Sequence, residues 1–296
     1  MTTPSGIAAQ RTAPRVPAPA YFGISAIFHY LGPAFAVLLF THLDVLGVAW
    51  LRIASAAVVF AVWRRPWRLL RRLTPEQRRV LLGLGVVLAA MNMMFYLAIA
   101  RLPLATVGAI EFLGTIVVAA VGMRNVRNVI ALALAVGGVV ALTDIRLAGE
   151  PFGFVFAFVN CALFMLYVVL GHRIANSGAG LSGIDQLGAA MLIAAVVAAP
   201  FCLTAAAPAF TSPVALPAGV GVGICSSVIP YVTDQLAMAR LRRSTFALML
   251  SILPAVATVI GIVVLTQIPT IGELIGIALI AWGVSIHQEP REGQEK

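Results

Sequence analysis

Runs of about 20 residues without a single charged side chain recur along this chain, and each is long enough to cross a bilayer as a helix. Such a pattern excludes a soluble single-core protein. Of its 296 residues, 61% are hydrophobic and 10% charged, against roughly 45–50% and 25% in soluble domains. The expected fold class is therefore all-α, a polytopic membrane protein. Reading apolar runs between charge clusters gives ten transmembrane helices, near 20–40, 44–63, 80–100, 104–122, 129–143, 152–171, 187–207, 218–238, 245–266 and 271–287. Little chain remains for an extramembrane domain.

The net charge of +9 would suggest a nucleic-acid partner in a soluble protein, but its placement gives a different reading. With the N-terminus inside, 17 of the 20 basic residues fall on the cytoplasmic side, including the seven arginines from Arg64 to Arg79 and the cluster Arg240, Arg242 and Arg243. Arg101 and Arg146 fall outside, and Arg52 lies within a span. By the positive-inside rule both termini are expected to be cytoplasmic. Trp63, Trp67, Leu69 and Leu70 give the 64–79 run a headgroup-facing character, so lipid is the expected surface partner and no nucleic acid is implied. Residues 1–19 have no apolar core and read as a cytoplasmic tail rather than a cleaved signal; 288–296 reads as a second tail. Cys161, Cys202 and Cys225 lie in apolar runs, where they act as small hydrophobes, with no disulfide or metal signal.

Sliding the chain against itself reveals a repeat. Asp44, Leu46, Gly47 and Leu51 match Asp185, Leu187, Gly188 and Leu192. Further on, Ala98, Ala100, Arg101, Leu102 and Thr106 match Ala237, Ala239, Arg240, Leu241 and Thr245, and Leu134, Gly138 and Val139 match Leu279, Gly283 and Val284. Two repeats of five helices, 20–143 and 152–287, must lie in opposite orientations because five is odd. Inverted repeats are a transporter architecture with the site near the midplane and alternating access between the halves.

WLRIASAAVVF at 50–60, FYLAIARLPLATVGAIEFLG at 95–114, ALALAVGGVVAL at 131–142, PYVTDQLAMARLRRSTFALMLSILPAVA at 230–257 and LIGIALIAWGV at 274–284 resemble the tandem EamA repeats of the drug/metabolite transporter superfamily. The likeness spans nearly the whole chain. EFLG after ARLPL, and RNVRN at 124–128, are most similar to bacterial exporters of threonine, homoserine and aromatic amino acids. The resemblance implies a small-molecule amino-acid substrate, with efflux of drugs or other metabolites as the alternative within the superfamily, a bacterial inner membrane as the location, and no cofactor. Where the family usually has GER before a repeat's last helix, this chain has Thr266, Gln267 and Ile268 in the second repeat, and Met123 stands where the glutamate of the first would fall. Phe164 replaces a tryptophan frequent in the first helix of the second repeat.

Charged side chains at membrane depth are costly and are functional candidates by default. At about 1.5 Å of rise per residue, Arg52 and Glu111 lie at similar depth in the second and fourth helices. They are either a buried ion pair bracing those helices, or Glu111 is a ligand for a substrate amino group or a proton relay. His29, Asn92 and Asn160 fall at similar depth in three further helices, and with Glu111, Phe164 and Tyr231 they make up the candidate substrate contacts. Asp234 either pairs with the basic cluster below it or serves a gate. Pro33 and Pro230 interrupt helices one and eight and free backbone carbonyls that kink a helix or line a cavity. Protons are the candidate coupling ion, with Glu111, His29 and Asp234 chemically able to carry them. No zinc helix, nucleophile elbow, paired intramembrane aspartates or filter-like loop occurs, so enzyme and channel are disfavoured and no metal site is expected.

Overall fold

The computed structural model describes residues 18–67, 73–122, 126–144, 150–175, 182–238 and 252–286. Among them are ten principal helices and no strand: α1 (Ala18–Leu39), α2 (Val45–Arg64), α3 (Pro75–Ile99), α4 (Leu104–Gly122), α5 (Val126–Asp144), α6 (Pro151–Ala175), α7 (Gly183–Ala206), α8, α9 (Leu253–Leu265) and α10 (Ile271–Ile286). The eighth, α8, changes pitch: Ala215–Gly223 is α-helical, Ile224–Val228 forms a π-turn and Ile229–Met238 resumes the α-helix. Six helices, α1, α2, α3, α6, α7 and α8, are long and apolar enough to cross a membrane, and α4, α5, α9 and α10 are apolar as well. Many of the side chains facing outward are apolar, Val62, Val126, Val263 and Ile271 among them. With helices of spanning length and an apolar exterior, the chain is a multi-pass membrane protein.

The expected ten helices are all present, with shifted ends. α3 starts at Pro75, not 80, because Thr74 and Gln77 form a capping box: the Thr74 hydroxyl accepts the Gln77 N–H (3.3 Å) and the Gln77 amide oxygen accepts the Thr74 N–H (3.0 Å). α7 starts at Gly183, not 187, because the Ser182 hydroxyl accepts the Asp185 N–H (3.1 Å). These caps lie in polar flanks that an apolar-run reading leaves out. Thr74→Ala is expected to lower stability by about 1 kcal/mol without altering transport per folded molecule, as measured by detergent melting beside liposome uptake. Several expectations fall outside the described residues: the tails up to 17 and from 287, the basic positions Arg124, Arg146, Arg240, Arg242 and Arg243, the repeat partners Ala239, Leu241 and Thr245, Met123, and the start of the ninth helix at 245.

α2 and α7 run antiparallel. Gly47 lies against the Ala205 carbonyl, Phe60 against Gly188, Trp50 Nε1 donates to the Ala195 carbonyl (3.0 Å), and Arg64 pairs with Asp185 (2.7 Å). α3 packs on α6, α1 on α8 and α5 on α10. Gln267, at the departure from GER, joins the α9–α10 loop to the next layer, its Oε1 accepting the Leu104 N–H at the start of α4 (3.1 Å). One apolar cluster takes in Tyr30, Leu51, Phe95, Ile110 and Ala157; a second takes in Ile53, Leu88, Met91 and Ala190, with Phe164 packed against it. The division falls between Leu51 and Ile53 on α2, and between Met91 and Phe95 on α3. Polar side chains fill that boundary.

Candidate functional site

Arg52 occupies the step between Leu51 and Ile53 and is 6% exposed. It is not paired with Glu111, which corrects the ion-pair reading. Its Nε donates to Ser227 Oγ (3.0 Å) and its Nη2 to the Ser226 carbonyl (3.1 Å), both on the π-turn of α8. The guanidinium also lies over the Tyr96 ring, 5.4 Å from its centroid, and 6.0 Å from that of Phe95. Pro230 explains why the Ser226 carbonyl is available. An α-helical N–H four residues on would occupy it, and proline has none. Counting along the helix does not reveal that a proline on a distant helix prepares a competing acceptor for Arg52.

α1 and α8 cross where Gly32 meets Ser226, so closely that a Cβ at Gly32 would press on the Ser226 backbone. α2 meets α8 at Gly223, whose missing side chain leaves room for Ser55 and the Arg52 carbonyl. The π-turn is thereby held between two helices by glycine at each crossing. Ser226 and Ser227, both fully buried, are site residues that spacing alone did not single out; the signal was Pro230 four residues after Ser226.

Glu111, on α4, is 6% exposed, and its Oε2 has no hydrogen-bond partner. Asn160 of α6 is fully buried beside the Glu111 carboxyl, yet neither its amide oxygen nor its nitrogen makes a hydrogen bond of normal geometry. The hydroxyls of Tyr30 and Tyr96 are likewise buried without a hydrogen bond of normal geometry, that of Tyr96 lying beside Ser226 and Arg52. Tyr30 Oη sits over Gly108, one helical turn before Glu111 and Phe112, and the Tyr96 ring adjoins Arg52. Buried polar atoms are almost always satisfied, so four such side chains in one layer mark a place prepared for a polar guest.

The other expected residues divide. Phe164 lies one turn from Asn160, packs edge-on against Phe112 (6.4 Å) and stacks on Tyr167 (6.5 Å), so it walls the same space. Tyr231 is within electrostatic reach of Arg52, Glu111, Asp234 and Tyr96, which brings it into the layer. His29 is half-buried within reach of Arg52. Asn92 donates from its amide nitrogen to the Leu88 carbonyl one turn back (2.8 Å), an intrahelical bond that uses one of its two N–H donors. Asp234 lies against Ser25 of α1, whose hydroxyl donates to the Pro230 carbonyl (3.2 Å); the basic cluster proposed as its partner is outside the described residues. Pro33 is buried within α1, one residue after the Gly32 crossing.

Arg52, Glu111, Asn160, Tyr30, Tyr96 and Tyr231 come from α1, α2, α3, α4, α6 and α8. A polar layer built by six helices inside an apolar bundle defines a carrier rather than a receptor or a scaffold. No family model matches the chain. It is 32% identical over 256 residues to the threonine/homoserine exporter RhtA of Escherichia coli K12, covering 84% of this chain and 83% of the relative. RhtA of Salmonella typhimurium LT2 is likewise 32% identical, over 84% of this chain and 82% of the relative. A crystal structure 20% identical to it superposes with a TM-score of 0.62, covering 91% of this chain and 97% of that one, and so shares the fold. The chain belongs to the RhtA family of exporters, which bears out the resemblance to amino-acid exporters.

Proposed function

We propose that this chain exports threonine, homoserine and related small neutral amino acids across a bacterial inner membrane by alternating access. The observation that carries the reading is Glu111: a buried carboxyl with an unpartnered oxygen beside an unpartnered amide, in a layer where an ionised group without a partner costs several kcal/mol. A substrate ammonium satisfies both. The relatives' names supply the substrate class. Phe112, Phe164, Tyr167 and Tyr231 give the site apolar walls, which tolerate variation in the substrate side chain while few polar anchors fix its shared backbone. Labelled threonine loaded against excess homoserine in liposomes tests this: saturable counterflow is expected, with broad competition among small neutral amino acids. Strict selectivity for one amino acid would contradict the apolar-wall reading.

Helices 20–143 and 152–287 are read as inverted repeats. In support, α2 pairs with α7 and α5 with α10, while α1 on α8 mirrors α6 on α3. Those are the contacts a twofold axis in the membrane plane would generate. The tails 1–19 and 288–296 lie in the cytoplasm on this reading, lipid surrounds the bundle, and protons are the coupling ion. Single-cysteine variants check the orientation. Against a background without Cys161, Cys202 and Cys225, an impermeant maleimide added to intact cells should label His42→Cys and spare Glu76→Cys. The reverse pattern would overturn it.

A further inference from the structure

The guanidinium of Arg52 is a buried cation whose hydrogen bonds all go to neutral acceptors. A guanidinium has five N–H donors in a rigid fork. Here Nε and one Nη2 hydrogen are engaged, by a serine hydroxyl and a freed backbone carbonyl, while Nη1 makes no hydrogen bond of normal geometry and the Tyr96 hydroxyl lies within reach of the guanidinium. No carboxylate among the described residues pairs with it; the arginines that do meet carboxylates there include Arg64 with Asp185 and Arg173 with Glu76. A cation buried among helices, stacked on Tyr96 and lacking an anion, awaits one.

We propose that Arg52 is the receptor for the carboxylate of the transported amino acid, and that the Ser226 carbonyl and Ser227 hydroxyl are the place where its guanidinium rests between substrates. This rests on the export reading above and extends it, since Glu111 and Asn160 take the ammonium end. Unlike charges that share a layer without pairing form a receptor for a zwitterion; had they paired, each would have been cancelled. A carboxylate is the stronger acceptor, because charge-assisted hydrogen bonds are roughly twice as strong as neutral ones and the guanidinium fork matches two oxygens. Substrate therefore draws the guanidinium away from α8. The contact surrendered is one that ties α2 to the π-turn, where pitch is already irregular and a one-residue rearrangement is least costly. Binding at Arg52 thus loosens α8 from α2 at the moment the site is filled.

The test compares threonine with threoninol, which keeps the ammonium and the hydroxyl but has no carboxylate, as competitors of threonine counterflow in liposomes and as stabilisers of the detergent-solubilised protein against heat. The wild type is expected to prefer threonine by about tenfold to a hundredfold, the worth of one lost hydrogen bond to a charged group. Arg52→Gln should abolish that preference by weakening threonine alone, and Arg52→Lys should leave part of it. Ser227→Ala removes a competing acceptor without touching the substrate, so it should tighten threonine and leave threoninol unchanged. This arm stands even where the arginine variants fail to fold. Equal competition by threonine and threoninol in the wild type would overturn the assignment while leaving the export reading intact, as would a preserved preference in folded Arg52→Gln, or a Ser227→Ala that moves both ligands or neither. Absent exchange of every amino acid would defeat the export reading and the assignment with it.

Discussion

Gly223→Ala should lower the melting temperature of the detergent-solubilised protein and its accumulation in the membrane, whereas Gly221→Ala, two residues away on α8, should do neither. The two glycines share a helix and differ in what a methyl group would meet. At Gly221 nothing lies within 4 Å of the added Cβ. At Gly223 it would fall on Ser55 Oγ, with the Arg52 carbonyl at 2.7 Å. A backbone oxygen cannot rotate away, so α2 and α8 would have to separate, and overpacking of this kind costs about 1–3 kcal/mol or more. Helix propensity works in the opposite direction, since alanine is favoured over glycine by up to about 1 kcal/mol; Gly221→Ala should therefore be neutral or mildly stabilising. Gly32→Ala should behave like Gly223→Ala, because its Cβ would meet Ser226 Cα and N at 2.6 Å. Equal melting temperatures for Gly221→Ala and Gly223→Ala would show that α8 has slack at the π-turn, and the crossing would not be the fixed point described here.

The helices were legible because the physics that makes them is local. A run of apolar residues between charges has one viable state in lipid, and all ten were expected from the sequence. Their ends were less so: Thr74 with Gln77 and Ser182 with Asp185 extend helices into polar sequence through caps that hydropathy does not register. That Arg52, Glu111 and Asn160 would be buried among the helices could be read from their places in apolar runs. Their partners could not, because partnership depends on rotation about the helix axis and on which helices are neighbours. Arg52 and Glu111 are both buried among the helices, but the guanidinium turns toward α8, drawn by a carbonyl that Pro230 leaves open 174 residues away in the chain. Asn92 is buried as well and turns to its own helix instead. Tyr30 and Tyr96 do not stand out in the sequence because a tyrosine in an apolar run looks like ordinary core; what distinguishes them is a buried hydroxyl without a hydrogen bond of normal geometry.

Glu111→Gln should leave folding nearly untouched and strongly reduce transport. Glutamine keeps the length, shape and much of the hydrogen-bonding capacity of the side chain and deletes only its charge. Had Glu111 been the partner of Arg52, that deletion would strand a buried cation and cost about 3–5 kcal/mol. Arg52 is held by Ser226, Ser227 and Tyr96 instead, so no such loss follows. The transported ammonium, by contrast, would lose its counter-charge. A hydrogen bond to a charged group is worth about 1.5–3 kcal/mol, so transport per folded molecule should fall by about tenfold to a hundredfold. Glu273→Gln supplies the opposite control. Glu273 sits in the first turn of α10, where its carboxylate accepts the Thr270 N–H (2.8 Å) and hydroxyl (3.1 Å). Weakening that cap should lower the melting temperature and leave uptake per folded molecule unchanged. Melting temperature and liposome uptake measured together on both variants separate the roles: normal uptake by folded Glu111→Gln would remove Glu111 from the substrate site, whatever its effect on stability.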